Sequence, residues 1–295
     1  MYNYYFNKKT NELKKYLLNC ILPVKYAYTL SAANYHIAYA KSQDYHSTVG
    51  IEKTKYEFLI KYLNNNDYDY CEIGCDDGET SLSIIDYFIK NGILFNQHIF
   101  IDFSHELLNK CKSRIDSFAS HLNCKFIQHD IERTDELFSI NSRKKIIFFL
   151  GNTLGNVESE NDVLQNIYNF MNKDDLFLIG LTLKNKHFDE LSGYNNETFR
   201  ESVLEFLRII GIKSVPENYI LRYDSINQIV ICEYQLPEPF CFQELKFNQG
   251  YKIRCFQSRR YTLDDCNLLF KENKFSILET IIDKELRHVL FLLKR

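Results

Sequence analysis

The sequence predicts an α/β fold built on a mostly parallel sheet with helices on both faces. Three observations carry this expectation. Five short apolar runs alternate with amphipathic helical patterns between residues 70 and 181. The chain then ends on a helical pattern followed by two more strand-like runs. Hydrophobic residues make up 45% of the 295, enough for a sizeable core and too many for a disordered chain.

The elements run in order along the chain. The polar patch Asn64–Asp67 separates an N-terminal region from the first strand-like run, Tyr70–Ile73. Thr80–Lys90 reads as a helix, His98–Asp102 as a strand, His105–Phe118 as a helix and Lys125–Gln128 as a strand. A short helical stretch, Asp135–Phe138, precedes the strand Lys145–Leu150, the helix Ser159–Met171 and the strand Leu176–Leu181. Near the end, helix Leu263–Lys271 leads into strands Phe275–Ile282 and Arg287–Leu293 around the turn Asp283–Leu286, a terminal antiparallel β-hairpin. The stretch Tyr194–Arg260 breaks the alternation. The expected organisation is a sheet-bearing core over 61–193 and 261–295. Residues 1–60 and 194–260 would form a smaller cap over the carboxyl edge, where open α/β sheets bind ligands.

Composition narrows the function. Thirty-six basic and 39 acidic residues are interspersed and give a formal charge of -3. No basic stripe marks a nucleic-acid partner, and a small-molecule substrate suits the balance better. No apolar run is long enough for a membrane span, and MYNYYFNKKTNELKK lacks a signal-peptide core. The nine cysteines include no C-x-x-C pair, and the closest, Cys71 and Cys75, lack metal or redox spacing. A cytoplasmic protein with reduced thiols and no metal is expected. The eight histidines are scattered, and no His–carboxylate pair stands out. No coiled coil or repeat points to an oligomer, and a monomer is compatible with the sequence.

Three acidic residues fall at or near the carboxyl ends of consecutive strands. Glu72 precedes the turn in YCEIGCDDGETS, where Gly74 would allow a sharp bend and Gly78 a close backbone approach to a ligand. The same glycines could serve the turn alone. Asp102 ends HIFID, at the place where a carboxylate grips ribose hydroxyls in nucleotide-binding sheets; capping of the helix near Ser104 is the other reading. Asp130, in KFIQHDIE, stands where this kind of fold contacts adenine with the Ile131 amide beside it, or else caps the next helix. Their joint placement points to a nucleotide-like cofactor.

The fourth strand carries the most specific pattern, Phe149-Leu150-Gly151-Asn152-Thr153-Leu154-Gly155-Asn156. It resembles the turn of the histidine-specific, S-adenosylmethionine (SAM)-dependent methyltransferases that trimethylate the α-amino group of histidine in ergothioneine biosynthesis. The resemblance implies a class I, Rossmann-like methyltransferase sheet with a substrate-binding cap, and SAM as cofactor. It implies cofactor contacts at Glu72, Gly74, Gly78, Asp102, Asp130, Ile131 and Gly151. LPVKYAY is similar to the family's proline-lysine-aromatic-x-tyrosine segment and places Tyr28 at a substrate tyrosine. DYHST places Tyr45 at a second, and Tyr194 matches a tyrosine that contacts the substrate carboxylate. FNQGYKIRCFQSRRYT resembles the final substrate-binding stretch, with Ser258 at its serine.

Two departures stand out. The family's glycine-serine-glycine loop becomes Gly74-Cys75-Asp76, and Phe256 stands where a glutamate holds the imidazole of histidine. A pocket without that acceptor should lose much of its preference for histidine, so another aromatic or aliphatic amine becomes as credible. Asn156 is the expected orienter of the amine, with Tyr28 and Tyr45 beside it; a capped turn before Ser159 is its alternative role. Two other functions remain in view. An inactive cofactor-binding scaffold or sensor would not need the Asn156, Tyr28 and Tyr45 set. A peptide or protein N-methyltransferase would need a wider cleft.

Overall fold

The computed structural model describes residues 2–42, 55–63, 68–133, 143–283 and 287–295. Helix α1 (Tyr2–Leu18) runs through a 3-10 segment (Val24–Tyr28) into α2 (Ala32–Ala40). The core then alternates: β1 (Tyr68–Ile73), α3 (Glu79–Lys90), β2 (His98–Asp102), α4 (His105–Ala119), β3 (Cys124–Gln128), β4 (Lys144–Phe149), α5 (Glu160–Phe170) and β5 (Leu176–Thr182). Next come α6 (Glu197–Ile209) and the strands β6 (Tyr219–Asp224), β7 (Ile229–Gln235), β8 (Phe240–Phe242), β9 (Leu245–Phe247) and β10 (Lys252–Arg259). Helix α7 (Leu263–Glu272) and the hairpin β11 (Ser276–Ile282) and β12 (His288–Lys294) finish the chain.

Seven strands form one sheet in the order β11-β12-β5-β4-β1-β2-β3. Strands β1 to β5 pair in parallel, whereas β12 enters antiparallel between β5 and β11. The order reverses at β1, with β2 on one side and β4 on the other, and a doubly wound sheet opens its ligand crevice at such a switch. Side chains alternate between faces. Cys71, Ile99, Ile147 and Phe177 pack under α5 and α7, while Tyr70, Phe100, Phe148 and Leu178 pack under α3 and α4. Covered on both sides, β5 is buried at every position, which is why it reads as an unbroken apolar run.

Helix starts are fixed by side chains. Ser104 accepts the Leu107 amide, Ser159 the Asp162 amide and Asn196 the Phe199 amide, and Thr262 forms a capping box with Asp265. A third apolar cluster joins Leu13 and Leu17 of α1 with Tyr26, Tyr39, Phe206 of α6 and Tyr234 of β7. Its sheet, β10-β7-β6, is antiparallel and separate from the main one. The expected helix Asp135–Phe138, the patch Asn64–Asp67 and positions 284–286 of the last turn lie outside the described residues. Among the described residues no helix is long and apolar enough to cross a membrane.

Candidate active site

A cavity opens at the carboxyl ends of β1 to β4, with α2 and α6 above it. The turn after β1 forms one wall. Gly74 and Asp76 take left-handed φ angles of 75° and 51° there. Glu72 is buried beneath them and accepts the Tyr70 hydroxyl at 2.5 Å. Gly78, also left-handed, is not part of the cavity wall. A Cβ on it would stand 2.8 Å from Cys111 Sγ, so its bareness serves the packing of α4 on the start of α3.

Asp102 supplies the second wall. Its Oδ2 accepts the Asp76 amide at 3.0 Å and its Oδ1 the Ser104 amide at 2.8 Å. Burial, reinforced by the charge of Asp76, pushes the carboxyl up to about 7 in spite of those two donors. The cap of α4 is Ser104, so Asp102 is left as a cavity carboxylate rather than a helix cap. Asp130 is held at one oxygen by the Glu132 amide (3.2 Å) and at the other by Lys25 Nζ (2.7 Å). Burial alone would lower the Lys25 pKa; Glu132 and Asp130 outweigh it and keep the ammonium charged. Ile131 lines the cavity beside Asp130, its carbonyl accepting Asn166 Nδ2 at 2.8 Å.

The turn after β4 closes the site. Gly151 and Asn152 are left-handed, with φ of 73° and 56°, and lead into a 3-10 turn over Thr153–Asn156. Asn156 hydrogen-bonds the Tyr28 hydroxyl, and its own Oδ1 is buried with no hydrogen-bond partner among the described residues. Ser159 caps α5, so Asn156 is not that cap. Desolvation raises the Tyr28 pKa and keeps the phenol protonated. Tyr194, Phe256 and Ser258 complete the wall from above. Phe256 packs on Phe199 with ring centroids 4.8 Å apart and on Tyr194 at 5.4 Å. Tyr45 lies outside the described residues.

Residues 46–208 match the family described as histidine-specific methyltransferase, SAM-dependent. The chain belongs to this family. It is a SAM-dependent methyltransferase. No curated protein matches its sequence. Solved structures similar to this methyltransferase include the PH0226 protein from Pyrococcus horikoshii OT3, 16% identical, with 86% of this chain and 93% of that one covered and a TM-score of 0.52. The CcbJ methyltransferase from Streptomyces caelestis is 10% identical, with 88% and 94% covered and a TM-score of 0.52. Magnesium protoporphyrin IX methyltransferase from Synechocystis PCC 6803, with bound S-adenosylhomocysteine (SAH), is 10% identical, with 91% and 96% covered and a TM-score of 0.50. At such identities the likeness concerns the fold.

The methyltransferase also holds site residues that sequence reading did not select. Lys25 sits inside the quoted LPVKYAY segment, and only the fold brings it to Asp130. His36 of α2 meets Asp76 with Nε2 3.0 Å from Oδ2, and its ring packs edge-on against Tyr28, centroids 4.5 Å apart. No His–carboxylate pair stands out in the sequence, because these partners are 40 residues apart in the chain and meet only when α2 lies over the turn after β1. The pair raises the His36 pKa against its burial and lowers that of Asp76.

Proposed function

We propose that this methyltransferase alkylates the amino nitrogen of a small molecule, an amino acid or amine whose side chain is apolar or aromatic. The observation that carries this reading is Asn156: its amide hydrogen-bonds Tyr28, while Oδ1 is a buried acceptor beside the cavity with no partner among the described residues. An amine N–H bonded to that oxygen would relieve a group that is costly to leave unsatisfied and would fix the nitrogen lone pair. Tyr28 and, from the family resemblance of its segment, Tyr45 are assigned to the same amine, where an aromatic ring would stabilise the growing ammonium charge.

The cavity's chemistry fits SAM. Carboxylates at the ends of three neighbouring strands suit a ligand carrying an ammonium, two ribose hydroxyls and an exocyclic amine. In this assignment Glu72, Gly74 and Gly151 take the amino-acid end, Asp102 the ribose, and Asp130 with Ile131 the adenine. When bound, SAM supplies the methyl group on a sulfonium that leaves as a neutral thioether. The protein's part is to hold the nitrogen in line at about 3 Å and to keep water out. Burial among Tyr28, Phe199 and Phe256 disfavours a charged ammonium, so the amine reaches its reactive neutral form without a dedicated base. Phe256 replaces an acceptor for imidazole with an apolar ring, which favours a substrate side chain other than that of histidine. Residues 1–60 and 194–260 are assigned as the substrate cap over a cofactor core of 61–193 and 261–295.

The test is mass spectrometry after incubation with methyl-labelled SAM and a pool of amino acids, biogenic amines and short peptides. Label on the nitrogen of a small amine is expected. Label confined to peptides, or tight SAH binding with no label anywhere, would overturn the reading; preferential labelling of histidine would overturn the role given to Phe256.

A further inference from the structure

The 3-10 segment that carries Tyr28 also carries a buried cation that the proposed chemistry leaves unused. Lys25 is 9% exposed, lines the cavity and donates Nζ to Asp130 Oδ2 at 2.7 Å. The rest of its ammonium is enclosed. Glu12 of α1 and Glu132 stand 3.6 and 3.8 Å away, and the ring centroids of Tyr16, Tyr26 and Phe103 lie 5.4 to 6.0 Å from it. For packing alone, an apolar side chain would fill this place without the cost of stripping water from a charge.

The partner explains the cation. Asp130 is buried too and lines the same cavity. One of its oxygens takes Lys25 and the other takes the Glu132 amide at 3.2 Å. Both partners are donors, and an ionised carboxylate can only accept, so Asp130 offers the cavity acceptor capacity and no proton.

We infer that Lys25 is a specificity-determining positioning residue for the cofactor's base: by holding Asp130 as a pure acceptor, it makes the site select a 6-aminopurine and reject a 6-oxopurine. The inference rests on the assignment of Asp130 to adenine and goes beyond it, giving the selectivity to a residue from outside the sheet. A 6-amino group has N–H bonds to give. A 6-oxo group sets lone pairs against lone pairs, and pairing it would need a proton on Asp130. Take the ammonium away and Asp130 is left buried beside Glu132. Burial without a counter-charge favours the neutral acid, whose O–H can turn to a 6-oxo group.

The experiment compares SAH with S-inosylhomocysteine, in which the 6-amino group is replaced by oxo, by calorimetry on the full-length protein. Wild type should bind SAH about 10- to 100-fold more tightly. In Lys25→Met the preference should shrink to about threefold or less, whereas Lys25→Arg, which keeps charged donors, should retain most of it. Lys25→Met/Glu132→Gln removes a cation and an anion together; it should show the same loss and guards against a misfolded single variant. Asp130→Asn, whose amide both donates and accepts, should lose the preference with Lys25 in place. A preference lost in Asp130→Asn but kept in Lys25→Met or the double variant overturns the inference and leaves the adenine assignment standing. Equal loss in Lys25→Arg and Lys25→Met overturns it as well, since charge would then not be what matters. A preference kept in Asp130→Asn, or absent from wild type, overturns both.

Discussion

Asn156 and Asp102 lie on the same cavity and should fail in opposite ways when changed. Asn156→Ala removes the proposed amine acceptor and leaves the strand-end carboxylates intact. Methyl transfer should fall about 100-fold or more, as expected when a reacting nitrogen loses its alignment, while SAH affinity by calorimetry stays within about twofold. Full turnover in this variant would falsify the role of Asn156. Asp102 carries a pH signature. Its carboxyl is pushed up to about 7, above its ordinary 3.8, chiefly by burial. Folding therefore favours the protonated form, and this group's contribution to the stability of the cofactor-free protein weakens as pH rises from 3.8 towards 7. Ribose binding runs the other way, because the ionised carboxylate is the better acceptor. SAH affinity should rise with pH through about 7. Asp102→Asn should flatten that rise and weaken binding by about 10- to 100-fold. A wild-type affinity that is flat between pH 6 and 8 would remove Asp102 from the ribose site.

Among the elements, the 3-10 turn over Thr153–Asn156 and the contact between α2 and the β1–α3 turn show what was legible and what was not. The turn could be read because its residues are contiguous: Gly151 to Asn156 form one uninterrupted pattern. Its glycines answer to different neighbours, however. A Cβ on Gly155 would stand 2.6 Å from Asn152 Nδ2 and 2.9 Å from the Arg259 carbonyl. Gly155→Ala should thus destabilise the fold by about 1–3 kcal/mol, visible as a Tm lower by several degrees, and should also disturb the Asn152–Ser258 bond. The unchanged Tm of a Gly155→Ala protein would show that Asn152 can move aside. His36–Asp76 was illegible because the two residues stand 40 positions apart in the chain and Asp76 occupies a left-handed position that normally suits glycine. The pairing raises the His36 pKa and lowers that of Asp76. Its stabilising effect is lost as pH falls through the depressed Asp76 value or rises through the raised His36 value. The gap in Tm between wild type and His36→Gln should be widest between those limits and narrow at alkaline pH. A gap that is constant across pH would make His36 a packing residue.

Taken as a whole, the molecule builds its site from stretches far apart in the chain, between Val24 and Ser258, and the two bodies of structure differ in how they announce themselves. The inner strands of the main sheet, β1, β2, β4, β5 and β12, are buried on both faces and read as apolar runs. β6 in contrast is intermediate or exposed at every position, so its register comes from pairing with β7 rather than from any pattern of its own. The buried bond from Lys25 to Asp130 crosses between the two bodies, as do the half-buried ones from His36 to Asp76, Arg259 to Glu160 at 2.6 Å and Arg254 to Glu158. A ligand seated on Asp102 and Asp130 therefore touches the partners of the 3-10 segment Val24–Tyr28 and of α2. Binding restricted to the native state stabilises it by about 2.7 kcal/mol at a hundredfold excess over Kd. If the crossing bonds transmit that restraint, SAH should slow amide exchange in Val24–Ala40 as well as at the strand ends. Lys25→Met cuts the bond nearest the proposed adenine site without removing a proposed ligand contact. It should keep the protection at the ends of β1 and β2 and lose most of it in Val24–Tyr28. Protection confined to the sheet in the wild-type protein would mean that cofactor binding leaves the substrate side of the cavity unordered, and that substrate must organise Tyr28 and Asn156 itself.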